Sequence, residues 1–327
     1  MKIKKLLALV LSLCMVLSLC ACSAGEPTTE MPTDATDKGP ITPLVYEVTD
    51  ETGNTIWVMG SIHVGYDYFY PMPDYVYDAY DRATALAVEA DMVAFEADLT
   101  AQTQALKPMI YSDGTTLSDH ISPALYTMAV QIMTEAGYYT SLLDYYNVVL
   151  WASLLEALLY EKMDMEDSLG IDMHLLNKAY AENKTVLEIE SAAYQYTMLS
   201  NFSEPLQLMM LQSAVASWMD LDAARESLDT LVDTWAAGDE AQLAAQFASE
   251  TDGLTQEELA LYNEYNDAMI VNRNIGMADF AEDALNNGEK TFIVVGAAHV
   301  VGEGGIIDLL AERGYTVTCI GGNPAKN

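Results

Sequence analysis

Two histidines occupy the same place in a pattern that the chain uses twice. Thr55-Ile56-Trp57-Val58-Met59-Gly60-Ser61-Ile62-His63-Val64 and Thr291-Phe292-Ile293-Val294-Val295-Gly296-Ala297-Ala298-His299-Val300 align without a gap. Each is a threonine, an apolar run, then G-x-x-H and a valine. Two imidazoles with a nearby carboxylate are a common donor set for Zn, Mn or Co. An ion held in this way lowers the pKa of its bound water, to about 7 in the best cases, and supplies hydroxide for attack. Glu89 is the best-placed acid, because residues 85–91 read as a strand that ends in carboxylates. Glu190 ends residues 185–190 in the same manner and is the second choice. Arg273, in Asn272-Arg273-Asn274, stands out in a chain with 14 Lys and Arg against 49 Asp and Glu. Such an arginine can bind a substrate carboxylate or steady an oxyanion; its plainer role is an ion pair with one of the many acids.

The remaining two histidines carry less. His120 lies in a polar loop and His174 on a helix, and both read as structural or exposed. The chain has no G-x-S-x-G, no Walker loop, no H-E-x-x-H, and no G-x-G-x-x-G after a strand. Gly302-Glu303-Gly304-Gly305 precedes a helix and reads as a turn rather than an anion cradle.

These side chains need elements to position them. An apolar run bounded by glycine reads as a buried strand, with the glycine letting the chain turn tightly at the strand end. The histidine then sits just past that end, where α/β folds place their chemistry. Residues 44–60 read as a hairpin about the turn 50–54, and residues 73–82 as a helix with Pro73 at its front. From about 100 to 285 the pattern is mostly helical. Its Tyr-, Met- and Leu-rich stretch, 124–165, reads as helix–helix core, with an adaptable ligand groove as the alternative. Asp172, after Gly170, reads as a helix N-cap. Residues 291–320 read as strand, helix 305–313 and strand, a βαβ unit that favours a parallel pair and an α/β sheet.

Composition narrows the function. The chain has 327 residues, 51% of them hydrophobic, and a net charge of −35. That charge repels the phosphate backbone and argues against nucleic acid as a partner. It also repels anionic lipid, so attachment to a membrane requires an anchor. Lys2, Lys4 and Lys5 precede an apolar run ending in Leu19-Cys20-Ala21-Cys22, which reads as a lipoprotein signal peptide over 1–21 with Cys22 as the lipidated residue. Residues 22–43, rich in Pro, Thr and Asp, read as a flexible tether, and 44–320 as one domain. The expected location is therefore the extracytoplasmic face of the cell membrane. Of the four cysteines only Cys319 then remains inside the domain. It reads as a buried core residue, and no internal disulfide is expected.

The ordered set Gly60-Ser61-Ile62-His63, Val88-Glu89-Ala90-Asp91, Gly170-Ile171-Asp172, the strand end at Glu190, Arg273-Asn274, and the run from Val295 to Gly305 resembles the TraB/GumN family. That family includes the Tiki metalloproteases and is more distantly related to the erythromycin esterases and ChaN-like proteins. The resemblance covers about 44–320. It implies a mixed α/β sheet flanked by helices, with a large, mostly helical middle. It also implies a divalent-metal hydrolase site with His63, Glu89 and His299 as the metal or catalytic set. Arg273 and Asn274 then take substrate or supporting roles, and Glu190 matches a further acid. His174 stands where the family often has an aromatic residue. The substrate implied is a peptide or protein. Peptide binding without cleavage and ester hydrolysis are the alternatives.

Overall fold

The computed structural model describes residues 39–248, 251 and 253–323. The expected signal segment, Cys22 and the tether up to residue 38 lie outside the described residues. Six strands form one mixed sheet: β1 Val45–Thr49, β2 Thr55–Ser61, β3 Ala85–Val88, β4 Thr185–Glu188, β5 Thr291–Gly296 and β6 Thr316–Gly321, in the order β4-β3-β5-β2-β1-β6. β2, β3, β4 and β5 are mutually parallel, and β1 runs against both of its neighbours, β2 and β6. The fold is α/β, as expected.

Burial follows place in the sheet. All six residues of β5 and all four of β3 are buried, because helices cover both faces of the centre. That is why both runs read as unbroken apolar stretches. The edge strands β4 and β6 are only half covered. The helix Val148–Lys162 is buried from Val148 to Tyr160, so the Tyr- and Met-rich stretch is core at its centre. Asn147 caps this helix by accepting the Leu150 N–H. The buried stripes of the long helices Glu204–Met219 and Leu221–Ala237 consist of Leu, Ala, Val and Trp with one Gln and one Thr, and none of their acidic residues is buried. Among the described residues no helix is long and apolar enough to cross a membrane.

The twin strands are direct neighbours. β2 and β5 pair in parallel with Gly60 opposite Val295 and Ser61 opposite Gly296. The register is therefore one residue out of step with the sequence repeat. Since side chains alternate faces along a strand, equivalent positions of the two copies point to opposite faces of the sheet.

Three expectations are corrected. β5 and β6 run in the same direction but are not a pair, because β2 and β1 lie between them. The hairpin β1–β2 inserts there, since β1 pairs with β6 over its whole length. Cys319 is half-buried rather than buried, because β6 is an edge strand; its thiol donates to the Gly321 carbonyl at 2.8 Å. Gly60 does not turn the chain either, as β2 continues through Ser61. It is glycine because a Cβ there would lie 2.9 Å from the Ala297 Cα, and this closeness lets the short helix Ala297–Val300 seat on the end of β2.

Candidate functional site

Glu89 follows the last residue of β3, and Glu190 lies two residues beyond β4. The backbone pairing runs on past both strands, with the Glu190 N–H donating to the Glu89 carbonyl at 2.9 Å. The two carboxylates are thus held side by side. Between them lies Arg273, from the helix Asn272–Asn286. Its Nη2 donates to Glu89 Oε2 at 2.6 Å and to Glu190 Oε2 at 2.9 Å, and its Nε donates to Glu190 Oε1 at 2.8 Å. Nη1 reaches back to the Met269 carbonyl at 3.2 Å. Met269 lies in a π-helical turn, Asp267–Val271, that leads into the same helix. Wide turns of this kind recur at functional sites because they re-aim the residues that follow.

Gln195 ties the acids together further, donating from Nε2 to Glu89 Oε2 at 3.1 Å and to Glu190 Oε2 at 3.0 Å. Glu89 Oε1 accepts the Gly296 N–H at 2.7 Å. The second motif glycine therefore presents its amide to the acid. Burial alone would raise the Glu89 carboxyl. Arg273, then His299 and His63, with the Gly296 N–H, overcome that and hold it at about 2.

The two motif histidines share a sequence position but not an environment. His299 lies on the short helix after β5 and is fully buried. Its Nδ1 donates to Asn274 Oδ1 at 2.6 Å, while Asn274 Nδ2 donates to the Gly304 carbonyl at 2.8 Å. The second bond fixes the amide orientation and so places the His299 proton on Nδ1. Burial, and then the Arg273 charge, push this imidazole down to about 3, so it is neutral.

His63 is 5% exposed and lies two residues past β2. Its Nδ1 is 3.2 Å from Asp172 Oδ1, within ion-pair range although off the line of a straight hydrogen bond. Burial, the largest single influence, and the Arg273 charge would lower this imidazole, but the Asp172 and Glu89 carboxylates together outweigh them, so the net shift is upward. His63 Nε2 is buried and has no hydrogen-bond partner. The Asp172 carboxylate beside one ring, and burial with the Arg273 charge at the other, thus shift the two imidazoles in opposite directions.

Asp172 is therefore not the expected N-cap. Gly170 caps the helix Ile171–Glu182, and Asp172 in its first turn is spent on His63. A Cβ at Gly170 would meet the His63 carbonyl at 2.3 Å. The absence of one allows the Ile171 N–H to reach the Ile62 carbonyl at 3.0 Å. The motif Gly170-Ile171-Asp172 is visible in the sequence, but its acid faces His63 rather than capping the helix. A glycine already at the cap position was the available signal. Gln195 was missed, and nothing in its surroundings, Ala193-Tyr194-Gln195-Tyr196, marks it.

The structure brings Glu89, Glu190, Arg273, Asn274, His63 and His299 to one edge of the sheet, at the carboxyl ends of the parallel strands. Arg273 takes its plainer role as an ion pair, since both carboxylates already engage it. His120 and His174 stand apart. His120 stacks on Tyr111 with ring centroids 4.1 Å apart, and its Nε2 is 2.7 Å from Thr115 Oγ1. His174 stacks on Tyr70 at 4.2 Å.

Two small recesses reach the site. One, of ≈ 20 Å³, is bounded by His63, Glu89, Asp172, Gln195 and Met92. The other, also ≈ 20 Å³, lies between His63, Gly296, Ala298, Phe247 and Trp235. The Trp235 Nε1 donates to the Gly60 carbonyl at 2.9 Å and so fixes one wall.

For a divalent ion the donors fit in kind. The His299 ring is oriented through Nδ1 by a side-chain acceptor, as metal-binding histidines are, the His63 ring faces the Asp172 carboxylate at ion-pair distance, and Nε2 of His63 has no hydrogen-bond partner. The third donor is constrained, because Glu89 Oε2 already accepts two bonds and Oε1 one. Among the described residues no three His, Cys, Asp or Glu side chains are grouped closely enough to hold a metal ion.

The model of the TraB/PrgY/gumN family matches residues 44–319. The chain belongs to this family. It is also similar to YbaP of Escherichia coli, 26% identical over 256 residues that span 77% of this chain and 86% of YbaP. YbaP of Shigella flexneri matches with the same identity and coverage. No solved structure matches the chain. The matched segment of this TraB/PrgY/gumN member runs from just before β1 to the last strand, so both histidine motifs and the Arg273 network lie within it.

Proposed function

We propose that this protein is a lipid-anchored, extracytoplasmic, divalent-metal-dependent hydrolase acting on peptide bonds. One observation carries the reading. Two imidazoles lie beside an anchored glutamate, His299 held through Nδ1 by Asn274 and His63 set against the Asp172 carboxylate, and Nε2 of His63 is buried without a hydrogen-bond partner. A buried polar nitrogen left unsatisfied is costly, about 1–3 kcal/mol.

His63 and His299 would hold the ion through Nε2, with Glu89 as the third donor. A bound Mn, Co or Zn supplies Lewis acidity and a water of lowered pKa. Asp172 and Asn274 keep the two rings in place. Asp172 also favours protonated His63, so that proton must leave before the ring can bind metal. Arg273 holds Glu89 ionised and in position. Gln195 and the Gly296 N–H fix its rotamer.

The test is metal content. Full-length purified protein is expected to contain about one Mn, Co or Zn per chain. His63→Ala or His299→Ala is expected to lose it, and peptide hydrolysis with it. No metal in the parent protein, or unchanged content in both variants, sinks the reading. Replacement of Cys22 by serine is expected to release the protein from membranes.

A second reading is peptide sequestration without cleavage. The engagement of both Glu89 oxygens by protein donors favours it. Intact peptide recovered from the complex, with an affinity that chelator leaves unchanged, would decide for this reading.

A further inference from the structure

The larger space at this edge of the sheet lies beside the site. A cleft of ≈ 490 Å³ opens between the helix Asn272–Asn286, the π turn before it, the helix Gln256–Asn266 and the Gly302–Gly305 turn. Its volume is that of a ligand site and exceeds one large side chain. Phe247, Tyr262, Ile270, Ile275 and Leu309 are among its walls.

Three residues join this cleft to the chemistry. Asn274, which holds His299, lines it. Ala298, the neighbour of His299, and Phe247 line both the cleft and the recess at His63. The cleft and the recess at His63 thus share part of a wall. At its lip Val271 and Ile275, one helical turn apart, are 40% and 45% exposed. Paired apolar side chains open to solvent beside a site suit contact with an apolar ligand group.

Charge completes the picture. Among the described residues that line the cleft, Glu303 is the one charged residue and none is Lys or Arg. The chain as a whole carries −35. The potential there is negative, so an acidic ligand is repelled and a basic one drawn in.

We infer that this cleft is the specificity subsite for a peptide segment in which a large apolar or aromatic side chain stands next to a basic one. The apolar group packs among Phe247, Tyr262 and Ile275, and the basic group meets Glu303. This deepens the hydrolase reading and rests on it for the position of the scissile bond, but not for binding.

The experiment measures binding and cleavage side by side on the full-length protein. Fluorescein-labelled Gly/Ser octapeptides carry a central Phe-Lys, Phe-Asp or Ser-Lys pair. Binding is read by fluorescence anisotropy and products by mass spectrometry. Phe-Lys is expected to bind about tenfold more tightly than either other peptide, or better. Ile275→Glu is expected to remove the Phe preference, and Glu303→Lys to reverse the preference for Lys over Asp. Both positions are exposed, so the fold is expected to hold, as checked by circular dichroism melting.

Equal binding of the three peptides overturns the inference. So do preferences that survive in both variants, or a concentration-dependent dimer that Ile275→Glu abolishes while peptide preferences stay flat. Selective binding without products removes the hydrolase reading and leaves the subsite. Cleavage with unselective binding does the reverse.

Discussion

Replacing Arg273 with alanine leaves Glu89 and Glu190 without their shared cation. The side chains of the trio are 1%, 7% and 10% exposed, so water cannot substitute for the guanidinium. Loss of one partner from a buried ion pair typically costs about 3–5 kcal/mol. Arg273→Ala is therefore expected to lose that much in urea unfolding, and Arg273→Lys a smaller part, because it keeps the charge but not the two-pronged contact with Glu190. At this scale the sequence was informative wherever a residue closed a strand. Glu89, His63 and His299 were found because apolar runs ending in polar groups are visible along the chain. Of their partners, Arg273 and Asn274 are visible in the sequence, but Gln195 and the role of Asp172 are not. Gln195 and Asp172 act across the fold, and no local pattern encodes a contact between residues so far apart.

Among the elements, the helix Val148–Lys162 carries the least expected group. Glu156 sits within its buried stretch at 7% exposure, and burial pushes its carboxyl up from 4.5 to about 8. Between those two values the folded protein keeps a proton that the unfolded chain has released. Stability therefore falls as pH rises through that window, by roughly 1.4 kcal/mol per unit at most. Glu156→Gln is expected to match the parent near the lower bound and to exceed it by a few kcal/mol near the upper one, read from urea midpoints at each pH. The strands were the most legible elements, since burial on both faces writes itself as a continuous apolar run. Strand order was less so. Local pattern gave β5, helix and β6 as consecutive elements, but the insertion of β1 and β2 between the strands is set by long-range pairing alone. The π turn at Asp267–Val271 was also invisible, because its composition is that of any helix.

The whole molecule is governed by its charge. With a net −35, repulsion between surface carboxylates works against the compact state. Added salt shortens the reach of that repulsion, from about 30 Å at 0.01 M to about 8 Å at 0.15 M. The melting temperature is therefore expected to rise with NaCl over that range, and a flat or falling curve would contradict this account. The sheet also decides how the protein meets its surroundings. β1 runs opposite to its neighbours and starts with Val45 beside Met59 and Gly321, which places the entry to the fold and its last strand on the rim that carries His63 and His299. With the anchor proposed at Cys22, the leash is tied at the mouth rather than the back. Such a protein would work face-down, on molecules held at or near the same surface.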